Sequence, residues 1–236
     1  YMIEGIEVTK AATPDKDADV LGGTVDFRLK KAAEGFKYNF ITQGSNNALR
    51  QTYNDYKVVA DVSNRFLGNR FGLVGQIDTE KRNRSSHQLG ANYWINGPSL
   101  VDTNVVLVSS LDLRDVSRIN NRLNGLFVLD ANIPNGNISL TNLYSRIHKE
   151  EIVHSNSYGI MLDSRTFGTS DIQKVMTVAT NSLIYEQEFS GFKVDAFLTH
   201  SFSGSVSPRS LNWSFNEPNA FKNPDLNASP QDAVSY

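Results

Sequence analysis

The chain has 236 residues, 39% of them apolar, with a formal net charge of −2 and no cysteine. That apolar share lies below the roughly 45–50% of ordinary globular domains, so a large dry core is harder to build. The near-neutral balance, with no long block of either sign, argues against a nucleic-acid partner. The lack of cysteine excludes disulfide scaffolds, zinc knuckles and cysteine nucleophiles.

The predicted elements begin with a strand at Ile3-Glu4-Gly5-Ile6-Glu7-Val8. Tyr1 to Val8 lack the basic start, apolar stretch and small-residue cleavage site of a signal peptide, and the chain is expected to be an internal piece of a longer protein. An acidic loop follows, Asp15-Lys16-Asp17-Ala18-Asp19. A calcium loop of the EF-hand kind wants Gly at its sixth position and Glu at its twelfth. Val20 and Asp26 stand there instead, so a solvated loop is the better reading. Gly22 and Gly23 then permit a turn and close backbone approach, and Thr24-Val25-Asp26-Phe27 is extended.

From about Phe36 onward, β-branched and aromatic residues alternate with polar ones, and helical periodicity is nearly absent. A first strand is expected near Phe36–Gln43. In Tyr56–Phe66 one face carries Tyr56, Val58, Ala60, Val62 and Phe66, the other Lys57, Val59, Asp61, Ser63 and Arg65. Leu67-Gly68-Asn69-Arg70 is a turn in which Gly and Asn accept left-handed backbone angles. The return strand sets Phe71, Leu73, Gly75 and Ile77 against Val74, Gln76, Asp78 and Glu80. The dense charges of Glu80-Lys81-Arg82-Asn83-Arg84 are expected at a solvated hairpin end. Leu123–Ile133, the turn Pro134-Asn135-Gly136-Asn137 and Ile138–His148 make a second hairpin. Val175–Phe189 and Phe192–Phe202 make a third across Ser190-Gly191. His200 interrupts its apolar side. Strands 138–148 and 175–189 alternate poorly, which leaves their registers open.

The connections between these strands are alternately short and long. Leu67–Arg70, Pro134–Asn137 and Ser190–Gly191 are short, whereas Gly44–Asn54, Ser85–Asn121 and His154–Gln173 are long. Outer-membrane barrels have tight turns at one end and functional loops at the other. The strands, at ten residues or more, approach the ~9–11 residues that cross a bilayer. Phe66 with Phe71, and Phe189 with Phe192, flank short turns, either as an interfacial girdle or as ordinary cross-strand pairs. The Pro- and Asn-rich stretch from Asn216-Glu217-Pro218 to Pro230 is expected to be another long outer loop.

Residues 3–27 resemble the C-terminal end of the plug in TonB-dependent outer-membrane receptors. That family ends its plug with an Ile-Glu-x-Ile-Glu-Val strand, a loop and Gly-Gly-x-Val-Asn. Glu4, Glu7, Gly22 and Gly23 carry this signature, while Asp26 replaces the family's Asn. Leu111–Val116 and Asn142–Arg146 resemble early barrel segments of some members. The resemblance implies an all-β fold, a transmembrane antiparallel barrel of 22 strands occluded by a plug. This chain would supply the end of the plug (1–33) and the N-terminal part of the barrel (34–236), about seven strands. It further implies active import of a bulky nutrient such as a siderophore or glycan across the Gram-negative outer membrane. The implied partners are the remaining plug and barrel, outer-membrane lipid, a surface lipoprotein, and the inner-membrane TonB complex through a segment absent here.

No nucleophile elbow, P-loop or dinucleotide fingerprint is present, and no enzyme activity or cofactor is expected. Among His87, His148, His154 and His200 none has i, i+4 spacing, although His148 and His154 could approach across a loop. No metal site is expected. Glu150 and Glu151 face opposite sides of a strand. Tyr93 and Trp94, in the long Ser85–Asn121 connection, are the candidate ligand-stacking residues. Competing readings are a passive porin, against which residues 3–27 argue, and a soluble β-sandwich carbohydrate-binding module, which needs apolar faces meeting in a dry core.

Overall fold

The computed structural model describes residues 3–9, 24–29, 31–95 and 106–221. They form two antiparallel sheets. β1 (Ile3–Thr9) and β2 (Thr24–Leu29) pair as a two-stranded ribbon with Glu7 opposite Asp26 and Thr9 opposite Thr24. The second sheet contains β3 (Lys37–Asn47), β4 (Thr52–Phe66), β5 (Phe71–Asn83), β6 (Ser86–Ile95), β7 (Val106–Ile133), β8 (Gly136–Gly159), β9 (Ser164–Phe189) and β10 (Phe192–Pro218). Its order is β10-β9-β8-β7-β5-β4-β3, with β6 also on β7. The sheet is open. No α-helix occurs among the described residues, and no helix is long and apolar enough to cross a membrane.

β5 and β6 run consecutively against β7, from Phe71 opposite Ala131 to Asn83 opposite Ile119, then from Ser86 opposite Val116 to Ile95 opposite Val106. At the junction the Arg84 N–H donates to the Arg118 carbonyl at 2.7 Å, and the Arg118 N–H donates to Ser85 Oγ at 3.1 Å. Eight strands thus make seven passes.

The turns at one end match their sequence signals. Leu67, Gly68 and Asn69 all adopt positive φ, as does Asn135 between β7 and β8. Phe66 faces Phe71 and Phe189 faces Phe192 in register, each pair stacked, at 6.3 and 4.9 Å between centroids.

The other end departs from expectation. Gly44–Asn54 and His154–Gln173 are largely strand, with connections reduced to 48–51 and 160–163. Most of Ser85–Asn121 is also strand, residues 96–105 lying outside the described ones. Likewise β10 runs through Asn216, Glu217 and Pro218, whereas 222–236 lie outside the described residues. The charges at Glu80–Arg84 sit midway along a continuous pass rather than at a hairpin end. β7, β8, β9 and β10 have 28, 24, 26 and 27 residues. At ~3.3 Å per residue such strands reach roughly 80–90 Å, far beyond a bilayer. The reason is physical: Ser, Thr, Asn and charged residues recur on both sides of these extensions. No apolar alternation marks them, yet the backbone ladder continues, as from Leu111 opposite Tyr158 down to Ile133 opposite Gly136. In β10 the register slips once between Val206 and Arg209, where Pro208, with no N–H to give, falls in the bulge.

Candidate functional site

Near the tight turns the two faces of the sheet differ in kind. Register places Lys57, Val59, Asp61 and Arg65 of β4 beside Glu80, Asp78, Gln76 and Gly72 of β5, and the latter beside Arg122, Asn124, Leu126 and Asp130 of β7. This face is covered: Val59 is 0% exposed, Gln76 5%, Asp130 6% and Asp78 9%. The opposite face carries Phe71, Leu73, Ile77, Phe127, Leu129, Ile138, Leu140 and Leu183. Ile77 is 52% exposed, Phe71 45% and Phe127 40%. The open face is the oily one, whereas the covered face mixes Val59, Val74, Leu126 and Val128 with the buried polar groups Gln76, Asp78, Glu80 and Asp130. Among the described residues no second sheet lies against the apolar face.

The covered face is closed at the turn end by the segment after β2. Ala32 packs with Val74, Leu126 and Val128 in the one buried apolar cluster of the described residues. Arg65 ties that segment down: its Nε donates to the Ala32 carbonyl at 2.8 Å, and its Nη2 pairs with Asp130 Oδ2 at 2.5 Å. Asn69 Nδ2 donates to Glu34 Oε1 at 2.9 Å. Gly72 is required here, since a Cβ would fall 2.3 Å from Asp130 Oδ1 and 2.7 Å from the Ala32 Cβ.

Further along the covered face, Lys57 lies 3.7 Å from Asp78 and 3.9 Å from Glu80, and Arg82 lies 3.7 Å from Glu80. Both polar atoms of the Gln76 amide, Asn120 Oδ1 and Asp130 Oδ1 are buried without a hydrogen-bond partner. Each such group costs about 1–3 kcal/mol if left unpaired, so beyond the apolar cluster at Ala32 this face carries groups that call for polar partners. Higher still, Glu151 accepts from Lys149 at 2.9 Å and from Arg118. Burial alone pushes the Glu151 carboxyl upward. The hydrogen bonds and charges of Lys149 and Arg118 outweigh it and hold the group below the usual glutamate range.

The extensions carry a cavity of about 440 Å³ lined by His87, Leu113, Asp115, His154, Asn156 and Phe167. Asp115 holds Arg50 and lies 3.5 Å from His87 Nε2, while His154 Nδ1 is 3.0 Å from Thr169 Oγ1. His148 and His154 lie on one strand, β8, rather than across a loop. Among the described residues no three His, Asp or Glu are grouped to hold a metal ion.

Tyr93 and Trp94 sit on β6, not in a loop, and are 65% and 41% exposed. As chain neighbours in a strand they point to opposite faces, so they do not form one stacking platform. β1 contains the backbone of Glu4 and Glu7, whereas Gly22 and Gly23 lie outside the described residues. Arg65, Gln76 and Asp130 were visible in the sequence only as members of the wet side of alternating strands. Their grouping depends on register between segments up to 65 residues apart.

The chain matches no family model, no curated protein and no solved structure.

Proposed function

We propose that the chain is the end of the plug and the first part of the barrel wall of a TonB-dependent importer in the outer membrane. The observation that carries this reading is the difference between the two faces: exposed apolar side chains on one, and on the other a covered surface that includes Gln76, Asp78, Glu80 and Asp130. A membrane barrel demands that arrangement, because lipid meets its outer face and a polar interior its inner one. In this reading Phe71, Ile77, Phe127, Leu129 and Leu140 face lipid, and Gln76, Asp78, Glu80 and Asp130 face the lumen. The open edges along β3 and β10 would pair with further strands, since unpaired backbone is not tolerated in hydrocarbon.

An importer is favoured over a passive porin by the leading segment. The Ile3–Val8 strand pairs with Thr24–Leu29, and the chain that follows enters the covered face through Ala32. A plug leaving the lumen beside the wall would take that path. A soluble sandwich is disfavoured by the uncovered apolar face.

The chain has no native cysteine, so single spin labels report cleanly. Labels at Leu129→Cys and Leu140→Cys should collide with lipid-soluble oxygen and escape a water-soluble nickel chelate in reconstituted protein, with Ser145→Cys showing less oxygen contact. Chelate access at Leu129 and Leu140 as strong as in a water-exposed loop would sink the reading.

A further inference from the structure

Most basic side chains of the sheet have a carboxylate partner: Arg50 with Asp115, Lys57 with Asp78 and Glu80, Arg65 with Asp130, Arg118 and Lys149 with Glu151, Arg209 with Asp171. Among the described residues, Lys81 and Arg146 are the two lysine or arginine side chains of the apolar face for which no carboxylate lies within 4 Å. Both lie where the oily band ends. Reading across the strands, Tyr56 is opposite Lys81, Lys81 opposite Asn121, and Asn121 opposite His148. Arg146, two residues before His148 and on the same face, is opposite Leu123. Lys81, Arg146 and His148 therefore ring the Asn121 amide. With strands ~4.8 Å apart and a rise of ~3.4 Å per residue, the three backbone positions lie within roughly 12 Å of one another. The nearby acid on this face is Glu150, which lies 3.6 Å from His148. Directly below are Leu123, Phe127 and Tyr144, each about two-fifths exposed.

We propose that this basic rim binds the phosphate of a lipid headgroup in the leaflet that the apolar band enters. The inference rests on the membrane reading above and adds a partner to it. Three features select a lipid over a peptide or a free anion. Lys81 and Arg146 have no carboxylate partner among the described residues, they border an exposed apolar surface that would take acyl chains, and they flank the Asn121 amide on neighbouring strands. Arg146 supplies a planar fork suited to phosphate oxygens. Lys81 reaches the interface on a flexible stem whose methylenes stay in the oily layer, and Asn121 adds an amide donor between the two.

The test is vesicle partition of the full chain, using phosphatidylcholine alone and phosphatidylcholine with a minor fraction of phosphatidic acid, at low salt. A basic residue at an anionic surface contributes about 1 kcal/mol, roughly five-fold in partition, so the pair contributes roughly twenty-five-fold. Lys81→Gln with Arg146→Gln should remove most of the phosphatidic-acid enhancement and leave partition into neutral vesicles unchanged. Arg122→Gln, on the opposite face of the sheet, should leave the enhancement intact, and the charge-preserving Lys81→Arg with Arg146→Lys should retain it. Inorganic phosphate, matched in ionic strength by chloride, should not displace the lipid effect; displacement would make the site one for a soluble anion and overturn the lipid assignment. Equal enhancement in wild type and the double Gln variant overturns the rim. Failure of the membrane reading is separately visible, as neutral-vesicle partition that does not respond to Leu129→Arg.

Discussion

The lower half of β7 and the upper half as far as Leu111 share one ladder with β8, yet they present different surfaces. In the lower half, Leu126, Val128 and Asp130 are covered while Phe127 and Leu129 are open. In the upper half, from Val106 to Arg118, most side chains on both faces are intermediate in exposure. Backbone pairing therefore does not depend on a contrast between faces. The contrast records what each face meets, and it vanishes where both meet the same medium.

The sharpest way to break the lower half is Asp130→Ala. Arg65, 12% exposed in its side chain, would keep its charge and lose its carboxylate. Breaking a buried pair from one side costs about 3–5 kcal/mol. The measurement is denaturant unfolding of the reconstituted protein. Replacing both members, Arg65→Met with Asp130→Leu, should recover much of the loss. A single-variant effect below about 1 kcal/mol would mean the pair is solvated and does not clamp the segment at Ala32.

A second experiment makes the same substitution in both halves. Leu129→Arg places a charge on the face read as lipid-exposed, where the cost at mid-membrane is about 2–4 kcal/mol. Leu89→Arg, on β6 and 70% exposed, should stay within about 0.5 kcal/mol, as surface changes usually do. Equal effects at the two sites would erase the distinction between the halves. Next in size is Gly72→Ala, where the new methyl meets Asp130 and Ala32. Overpacking of this kind costs about 1–3 kcal/mol, and increased proteolytic cleavage near residues 31–36 would locate the damage.

The same contrast explains what was legible in the sequence. Tyr56–Phe66 and Phe71–Glu80 could be read residue by residue because their sides meet different surroundings, and Gly68-Asn69 and Pro134-Asn135 marked the turns between such strands. Ser86–Ile95 and Ser164–Gln173 could not, because Ser, Thr, Asn and His on both faces look like loop. That is why Tyr93 and Trp94 were expected in a connection and lie on β6. The clamp was illegible for a different reason. Arg65, Gly72 and Asp130 are ordinary residues of their own strands, and only the register of β4, β5 and β7 with the approach of Ala32 makes them one site. The end of the apolar band at Lys81 and Arg146 was present as a local run of charge, but its meaning required the rows across β5, β7 and β8.

The smallest predicted effect probes the upper half, where ion pairs take the place of oily contacts. Glu151 is held below the usual glutamate range: burial opposes its charge, and Lys149 and Arg118 more than offset that opposition. A carboxyl whose folded value is depressed contributes stability that is complete above its unfolded value and is lost as pH falls through the folded one. Unfolding free energy should therefore decline on acidification below the ordinary glutamate range, and Glu151→Gln should flatten that acid limb while lowering stability at neutral pH. Added salt should weaken the wild-type slope only modestly, because the Glu151 side chain is 17% exposed and partly buried pairs are screened less than exposed ones. A wild-type acid limb identical to that of the Gln variant would show that Arg118 and Lys149 do not favour the charged form. The upper half would then owe its order to the backbone ladder alone.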